Sequence, residues 1–262
     1  MKIALISLDQ KWEDKEANLL QVETITQKSA SMGAELVIFP EMTLTGFTMN
    51  TSLSSEEPQN SFTLRAFSEI AKKNNINMMA GLVLKENEKN PMNTMTAFSH
   101  EGKELARYYK IHPFSFAGED KYFSQGNSLT KAKIGDFYFG FSICYDLRFP
   151  EVFSVLARDC EVLVNIANWP NKRSVHWKVL LQARAIENQC FMIAVNRRGV
   201  DGNHLEYERS SCIFDANGEY CKPIVIDGEI DLFNITREQL FDFRKNFSTR
   251  QDRRQELYKA FL

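Results

Sequence analysis

Residues 136–143 read Asp-Phe-Tyr-Phe-Gly-Phe-Ser-Ile, a short aromatic-rich run with almost no polar break. Side chains of a strand alternate between two faces, so such a run needs apolar cover on both. It reads as a buried strand inside a covered sheet. Shorter runs of the same kind occur at Ile3–Leu8, Glu35–Phe39, Val162–Ile166 and Phe191–Val195. Between them lie stretches with helical spacing. Lys11–Met32 carries Ala17, Leu20, Val22 and Ile25 and stops at Gly33. Phe62–Lys73 carries a stripe of Phe62, Ala66, Phe67, Ile70 and Ala71. Pro150–Arg158 opens on a proline and the acid Glu151, and Ser174–Asn188 is a further helix. Ile76–Leu84 is a strand interrupted at Gly81, followed by a polar turn over residues 85–91. Two hairpins are expected: residues 94–99 with 103–109 around Glu101-Gly102, and Ser211–Phe214 with Tyr220–Ile230 around Asn217-Gly218. Thr236–Phe243 reads as a short helix. Arg250–Leu262 is a charged tail with Leu257, Tyr258, Phe261 and Leu262 as its apolar positions. Early alternation of strand and helix, broken by hairpins, points to one α/β domain over residues 1–262 with mixed sheets.

Three chemically useful residues stand at strand ends. Glu41 comes two residues after Phe39, Lys110 directly after Tyr109, and Cys144 directly after Ile143. Strand ends are where side chains meet on a rigid frame. Taken singly, each has a plainer reading: a helix-start acid after Pro40, a solvated edge lysine, and a buried core cysteine. The stretch from Ile111 to Ser128 is long and irregular, with Pro113, Gly118 and Gly126, and loops of that length are often functional. A histidine partner for the thiol is also considered, because Cys–His is the commoner pair. His112 and His176 are the candidates, and neither has a clear orienting Asp or Asn by sequence. His176 reads better as a packed or capping residue, and the loop residues Arg197 and Arg198 as solvated.

Composition closes off other classes. The 262 residues are 44% hydrophobic and 25% charged, and 32 basic against 34 acidic residues give a net charge of −2. That is no nucleic-acid footprint. The five cysteines are scattered, with no Cys-x-x-Cys pair, so neither a disulfide framework nor a zinc site is expected, and a reducing cytoplasm fits best. The start, Met1–Leu8, is too short for a signal peptide. No apolar run approaches the ~20 residues that span a bilayer.

Several strings together resemble the nitrilase superfamily of carbon–nitrogen hydrolases over nearly the whole chain. They are Phe39-Pro-Glu41-Met-Thr-Leu-Thr-Gly46-Phe47, Tyr109-Lys110-Ile-His112 and Cys144-Tyr-Asp146-Leu-Arg148-Phe-Pro-Glu151. Ala167-Asn168-Trp169-Pro170, Arg184-Ala-Ile-Glu187-Asn188 and Asn196-Arg197-Arg198 support them. The resemblance implies a four-layer α-β-β-α sandwich with two mixed sheets, and hydrolysis of an amide or nitrile through a thioester. Glu41 would be the general base, Lys110 the cationic partner and Cys144 the nucleophile. Glu119 would orient Lys110 or the substrate amide, and the backbone N–H of Tyr145 would face the tetrahedral oxygen.

The string after Cys144 looks most like the omega-amidase branch, which acts on 2-oxo dicarboxylic monoamides such as 2-oxoglutaramate and 2-oxosuccinamate. Arg148 would hold the distal carboxylate, unless it pairs with Glu151 or Asp146. Tyr122 and Trp169 would line the pocket and Ser174 add a hydroxyl. A homodimer is implied, and no metal or organic cofactor. Arg198 and Glu208-Arg-Ser-Ser211 depart from the family pattern close to the site. Another hydrolase of the superfamily, acting on an N-carbamoyl compound or a different small amide, stays open. So do a non-catalytic scaffold of the same fold and an unrelated α/β fold with Cys144 in its core.

Overall fold

The apolar runs find cover on both faces because two sheets stack and helices close the outside. The computed structural model describes residues 1–86 and 89–259, so Phe261 and Leu262 of the tail lie outside the described residues. The larger sheet takes β1 (Lys2–Ile6), β2 (Leu36–Ile38), β3 (Asn77–Leu84), β4 (Met92–Phe98) and β5 (Glu104–Tyr109). The smaller sheet takes β6 (Lys131–Ile134), β7 (Phe137–Ile143), β8 (Val162–Ala167), β9 (Phe191–Asn196) and β10 (Cys212–Phe214). The chain then returns to the larger sheet with β11 (Val225–Asp227) and β12 (Ile230–Asn234). The orders are β11-β12-β1-β2-β3-β4-β5, with Ser55–Glu56 paired to β3, and β10-β9-β8-β7-β6. Both sheets are mixed: β1-β2-β3 and β7-β8-β9 run parallel, and the flanking pairs run antiparallel.

Period-two alternation sorts the residues into layers. Ile3 and Leu5 of β1 face the other sheet with Ile38, Met79, Phe139, Phe141 and Val164, while Ala4 and Ile6 face outward. The outer face of the larger sheet packs on α1 (Lys15–Ser31) and α2 (Phe62–Lys73), through Val22, Ile25, Phe67 and Ile70. The smaller sheet turns Leu163, Met192 and Ala194 toward α3 (Pro150–Leu156) and α4 (Ser174–Asn188), where Phe153, Trp177 and Leu181 wait. The result is the four-layer α-β-β-α sandwich.

Some expectations shift. α1 starts later than its polar lead-in suggests, because the Asp14 carboxylate accepts from the Ala17 N–H and caps the first turn. Leu20 and Phe62 are exposed rather than part of the buried stripes. The Tyr220–Ile230 strand does not form as one piece. Tyr220 makes a single bridge to Phe214, and the chain then crosses to the larger sheet as β11. The irregular loop contains two helical turns, Ser115–Ala117 and Glu119–Tyr122. The predicted helix near the C-terminus is α5 (Arg237–Asn246), capped reciprocally by Thr236 and Gln239. Gly81 does not interrupt β3. A Cβ there would lie 2.4 Å from the Met42 nitrogen and 2.8 Å from the Glu41 Cα, so the missing side chain lets the segment after β2 lie against the strand.

Candidate active site

Three strand ends deliver the cluster. Lys110, at the end of β5, places its Nζ 2.9 Å from Glu41 Oε1 and 2.8 Å from Glu119 Oε2. Glu41 follows β2, and Glu119 opens the second helical turn of the long loop, after Gly118 in the left-handed region (φ 76°). Glu41 and Glu119 are 0% exposed and Lys110 1%, so the charges have only each other and fixed dipoles for solvent. The Glu41 backbone is held from behind: Gln10 Nε2 donates to the carbonyls of Glu41 and Met42 at 3.0 and 2.9 Å. Asn168, just past β8, donates its N–H to Glu41 Oε2 at 2.9 Å and its side-chain amide to the Glu41 carbonyl at 2.7 Å.

Cys144 directly follows β7 and begins a 3₁₀ turn, Cys144–Arg148. Its φ is +45°, in the left-handed region that side-chain-bearing residues avoid. Its Sγ lies 4.0 Å from the Asn168 carbonyl oxygen. The turn is pinned by Asp146, itself 0% exposed. Asp146 Oδ2 accepts from the Ile143 N–H at 2.9 Å and from the Tyr108 hydroxyl at 2.7 Å. Its Oδ1 accepts from the His112 N–H at 3.0 Å and lies 2.8 Å from His112 Nδ1. His112 therefore does have an orienting carboxylate, contrary to the sequence reading. That pair supports the loop under the nucleophile; His112 also stacks on Phe149 at 3.7 Å.

Electrostatics set the resting protonation. Burial pushes the Cys144 thiol well above its usual pKa; the Glu41 charge adds to this and Lys110 offsets part of it. The thiol thus rests neutral and needs a base at the moment of attack. Burial alone would favour a neutral Lys110, yet the carboxylates of Glu119 and Glu41 outweigh it and hold the ammonium above the ordinary lysine pKa. Burial raises Glu119, and Lys110 cancels only part of the rise.

Above the cluster lies a cleft with about 460 Å³ of atom-free space, whose walls include Cys144, Tyr145, Arg148, Asn168 and Trp169. Of the expected wall residues, Tyr145, Arg148 and Trp169 are present. Tyr122 is not: it is 47% exposed and lies outside the lining. Ser174, the first residue of α4, is also outside it. Sequence reasoning missed Arg173, Tyr207 and Phe114, which do line the cleft. Arg148 pairs with neither Glu151 nor Asp146; its guanidinium lies 5.0 Å from the Trp169 ring and 5.8 Å from that of Tyr145, with one N–H group 3.2 Å from His176 Nδ1. His176 is exposed and acts as this neighbour rather than as a packed residue. Arg173 lies 5.2 Å from the Phe114 ring. Among the described residues neither arginine has a carboxylate within ion-pair distance.

The carbon-nitrogen hydrolase family model matches residues 2–224. The chain belongs to this family. Among its relatives is the omega-amidase YafV of Escherichia coli K12, 31% identical, the match covering 96% of each chain. Another is the 2-oxoglutaramate amidase of Bacillus subtilis, 29% identical, covering 98% of each. The solved structure of XC1258 from Xanthomonas campestris, a CN-hydrolase superfamily protein with an arsenic adduct in its active site, superposes with a TM-score of 0.89 at 28% identity, covering 97% of each chain.

In this carbon–nitrogen hydrolase the positions that the resemblance marked as departures, Arg198 and residues 208–211, lie outside the cleft lining. Arg198 pairs with Glu229 at 2.5 Å and Arg209 with Asp231 at 2.7 Å, both beside β12. Ser210 and Ser211 instead brace the wall. Asn196 Nδ2 donates to Ser210 Oγ at 3.0 Å, and Asn196 Oδ1 accepts from the Trp169 N–H at 2.7 Å. Arg197 is fully buried rather than solvated. It lies 4.8 Å from the Tyr207 ring and donates to the carbonyls of Gln10 and Val200.

Proposed function

We propose that this chain is a single-domain, cytoplasmic omega-amidase. It releases ammonia from the terminal amide of a 2-oxo dicarboxylic monoamide, 2-oxoglutaramate or 2-oxosuccinamate. The observation that carries the reading is Arg148, which lines the same cleft as Cys144 and has no carboxylate at ion-pair distance among the described residues. The Trp169 and Tyr145 rings flank the guanidinium, and its N–H groups other than the one at His176 suit a planar anion such as the far carboxylate of the substrate. The names of the two relatives above agree with that chemistry.

In this reading Glu41 takes the Cys144 proton as Sγ bonds to the amide carbon. The carbonyl oxygen becomes an oxyanion, held by the Lys110 ammonium and the Tyr145 N–H. Glu41 then passes the proton to the leaving nitrogen, the C–N bond breaks, and ammonia departs from a thioester. Water attacks the thioester carbon while Glu41 accepts its proton. The C–S bond breaks, the sulfur is reprotonated, and the carboxylic acid leaves. Glu119 orients Lys110 throughout. Trp169 and Tyr145 line the path, while Tyr122 and Ser174 take no part.

Arg148→Ala is expected to lower kcat/KM for 2-oxoglutaramate roughly 5- to 150-fold, the worth of about 1–3 kcal/mol for a hydrogen bond to a charged group. A neutral amide of similar length should lose far less. An equal loss on both would make Arg148 structural, and faster ammonia release from N-carbamoyl amino acids would move the enzyme to another branch.

The assembly we assign is a homodimer through α4. Val175, Val179 and Ile186 of that helix are 70, 59 and 50% exposed, an apolar face left largely open among the described residues. Sedimentation velocity should give twice the chain mass at micromolar concentration; a monomer would refute the assignment.

A further inference from the structure

Asn93 is 2% exposed, lies on β4, and does not touch the cleft. Its register explains its reach. Thr94 pairs with Tyr109 across the β4–β5 ladder, so Asn93 stands opposite Lys110, and the Lys110 N–H donates to the Asn93 carbonyl at 2.9 Å. The two side chains therefore project into the same buried space. Asn93 Nδ2 lies 2.7 Å from Glu41 Oε1 and 3.0 Å from Glu119 Oε1. Among the described residues the carboxamide oxygen has no partner, while the amide nitrogen donates to both carboxylates.

Two carboxylates and one ammonium in a site this buried are one positive charge short. Carboxylates placed so close tend to keep a proton between them, which would disable a base. A neutral group with two N–H donors and no charge of its own relieves this without adding a counter-ion. We propose that Asn93 is a positioning residue for the reaction: its two N–H groups, donated to both carboxylates, keep Glu41 and Glu119 both ionised around Lys110, so that Glu41 stands ready to accept the thiol proton. The proposal rests on the reading of Glu41 as the base. The titratable groups bearing on the pair are Lys110 and Cys144. The other donors to it outside Lys110 and Asn93, among the described residues, are the backbone N–H groups of Asn168 and Phe114.

The test is the pH dependence of kcat/KM in Asn93→Leu, which keeps the volume and removes both donors, and in Asn93→Thr, which keeps one. The acidic limb should move to higher pH by roughly one to two units in the leucine variant, the shift that corresponds to one charge-assisted hydrogen bond. The threonine variant should fall between it and the parent. The deficit should shrink as pH rises, because hydroxide does what the lost donors did. A deficit constant across the pH range, or an unmoved limb, would overturn the proposal and leave Asn93 a packing residue. If the leucine variant does not fold, the threonine variant carries the same comparison. Glu41→Gln in parallel separates the two ideas: full turnover there sinks the base assignment itself, whereas lost turnover there with an unmoved limb at Asn93 sinks only this one.

Discussion

Cys144→Ala is expected to lower ammonia release by roughly four to six orders of magnitude, the scale seen when a covalent nucleophile is removed. The size follows from the site's division of labour. Without sulfur there is no acyl-enzyme, and the remaining groups can only polarise the amide and orient water. The side chain is small, only partly buried where it packs on the core, and its hydrogen-bond contact among the described residues is a long one at 4.0 Å, so the melting temperature should stay within a few degrees of the parent. Initial-rate ammonia assays with purified protein, beside a thermal melt, read both. A folded variant with near-parent turnover would remove Cys144 from the chemistry.

Glu41→Gln is expected to cost about 10²- to 10⁴-fold in kcat, the usual worth of a general base. Glutamine keeps one acceptor oxygen, for Lys110 or for the Asn168 N–H but not for both, so the loss combines absent proton transfer with some repositioning of these donors. The protonation state of the thiol decides the size. Burial and the Glu41 charge hold Cys144 well above the ordinary thiol range, so there is no standing thiolate to carry the reaction. Removing the Glu41 charge makes the thiol somewhat more acidic, so a part of the lost rate should return at alkaline pH, where hydroxide serves as base. A pH–rate profile shows this directly. A variant with parent-like rates at neutral pH would mean that the thiol ionises by other means.

How far these side chains could be foreseen depended on what held them. Glu41, Lys110 and Cys144 were legible because each follows an apolar run that stops abruptly, and the end of a buried strand is a position as much as a composition. Asn93 was not. It lies inside a strand, and what brings it to Lys110 is the pairing register of β4 and β5, which local pattern does not encode. His112 and Asp146 are 34 residues apart and meet only because the β5 and β7 ends converge. Tyr122 and Ser174 stand near site residues in sequence, yet each sits on a helical element and lies outside the cleft lining. β12 was overlooked because its partner, β1, lies more than two hundred residues away. The crossing between sheets after Tyr220 has no marker that a hairpin signal such as Asn217-Gly218 does not hide.

The backbone at Cys144 carries a further implication. An L-residue held at φ +45° stores about 1–3 kcal/mol that a glycine would not, and the network around Asp146 supplies the restraint. Glycine there would ease the turn and abolish the sulfur chemistry in one step. Durability and turnover thus pull in opposite directions at a single codon. Any effort to toughen this protein against heat must find its gains in the helices and outer loops, leaving the turn over residues 144–148 as uncomfortable as it is.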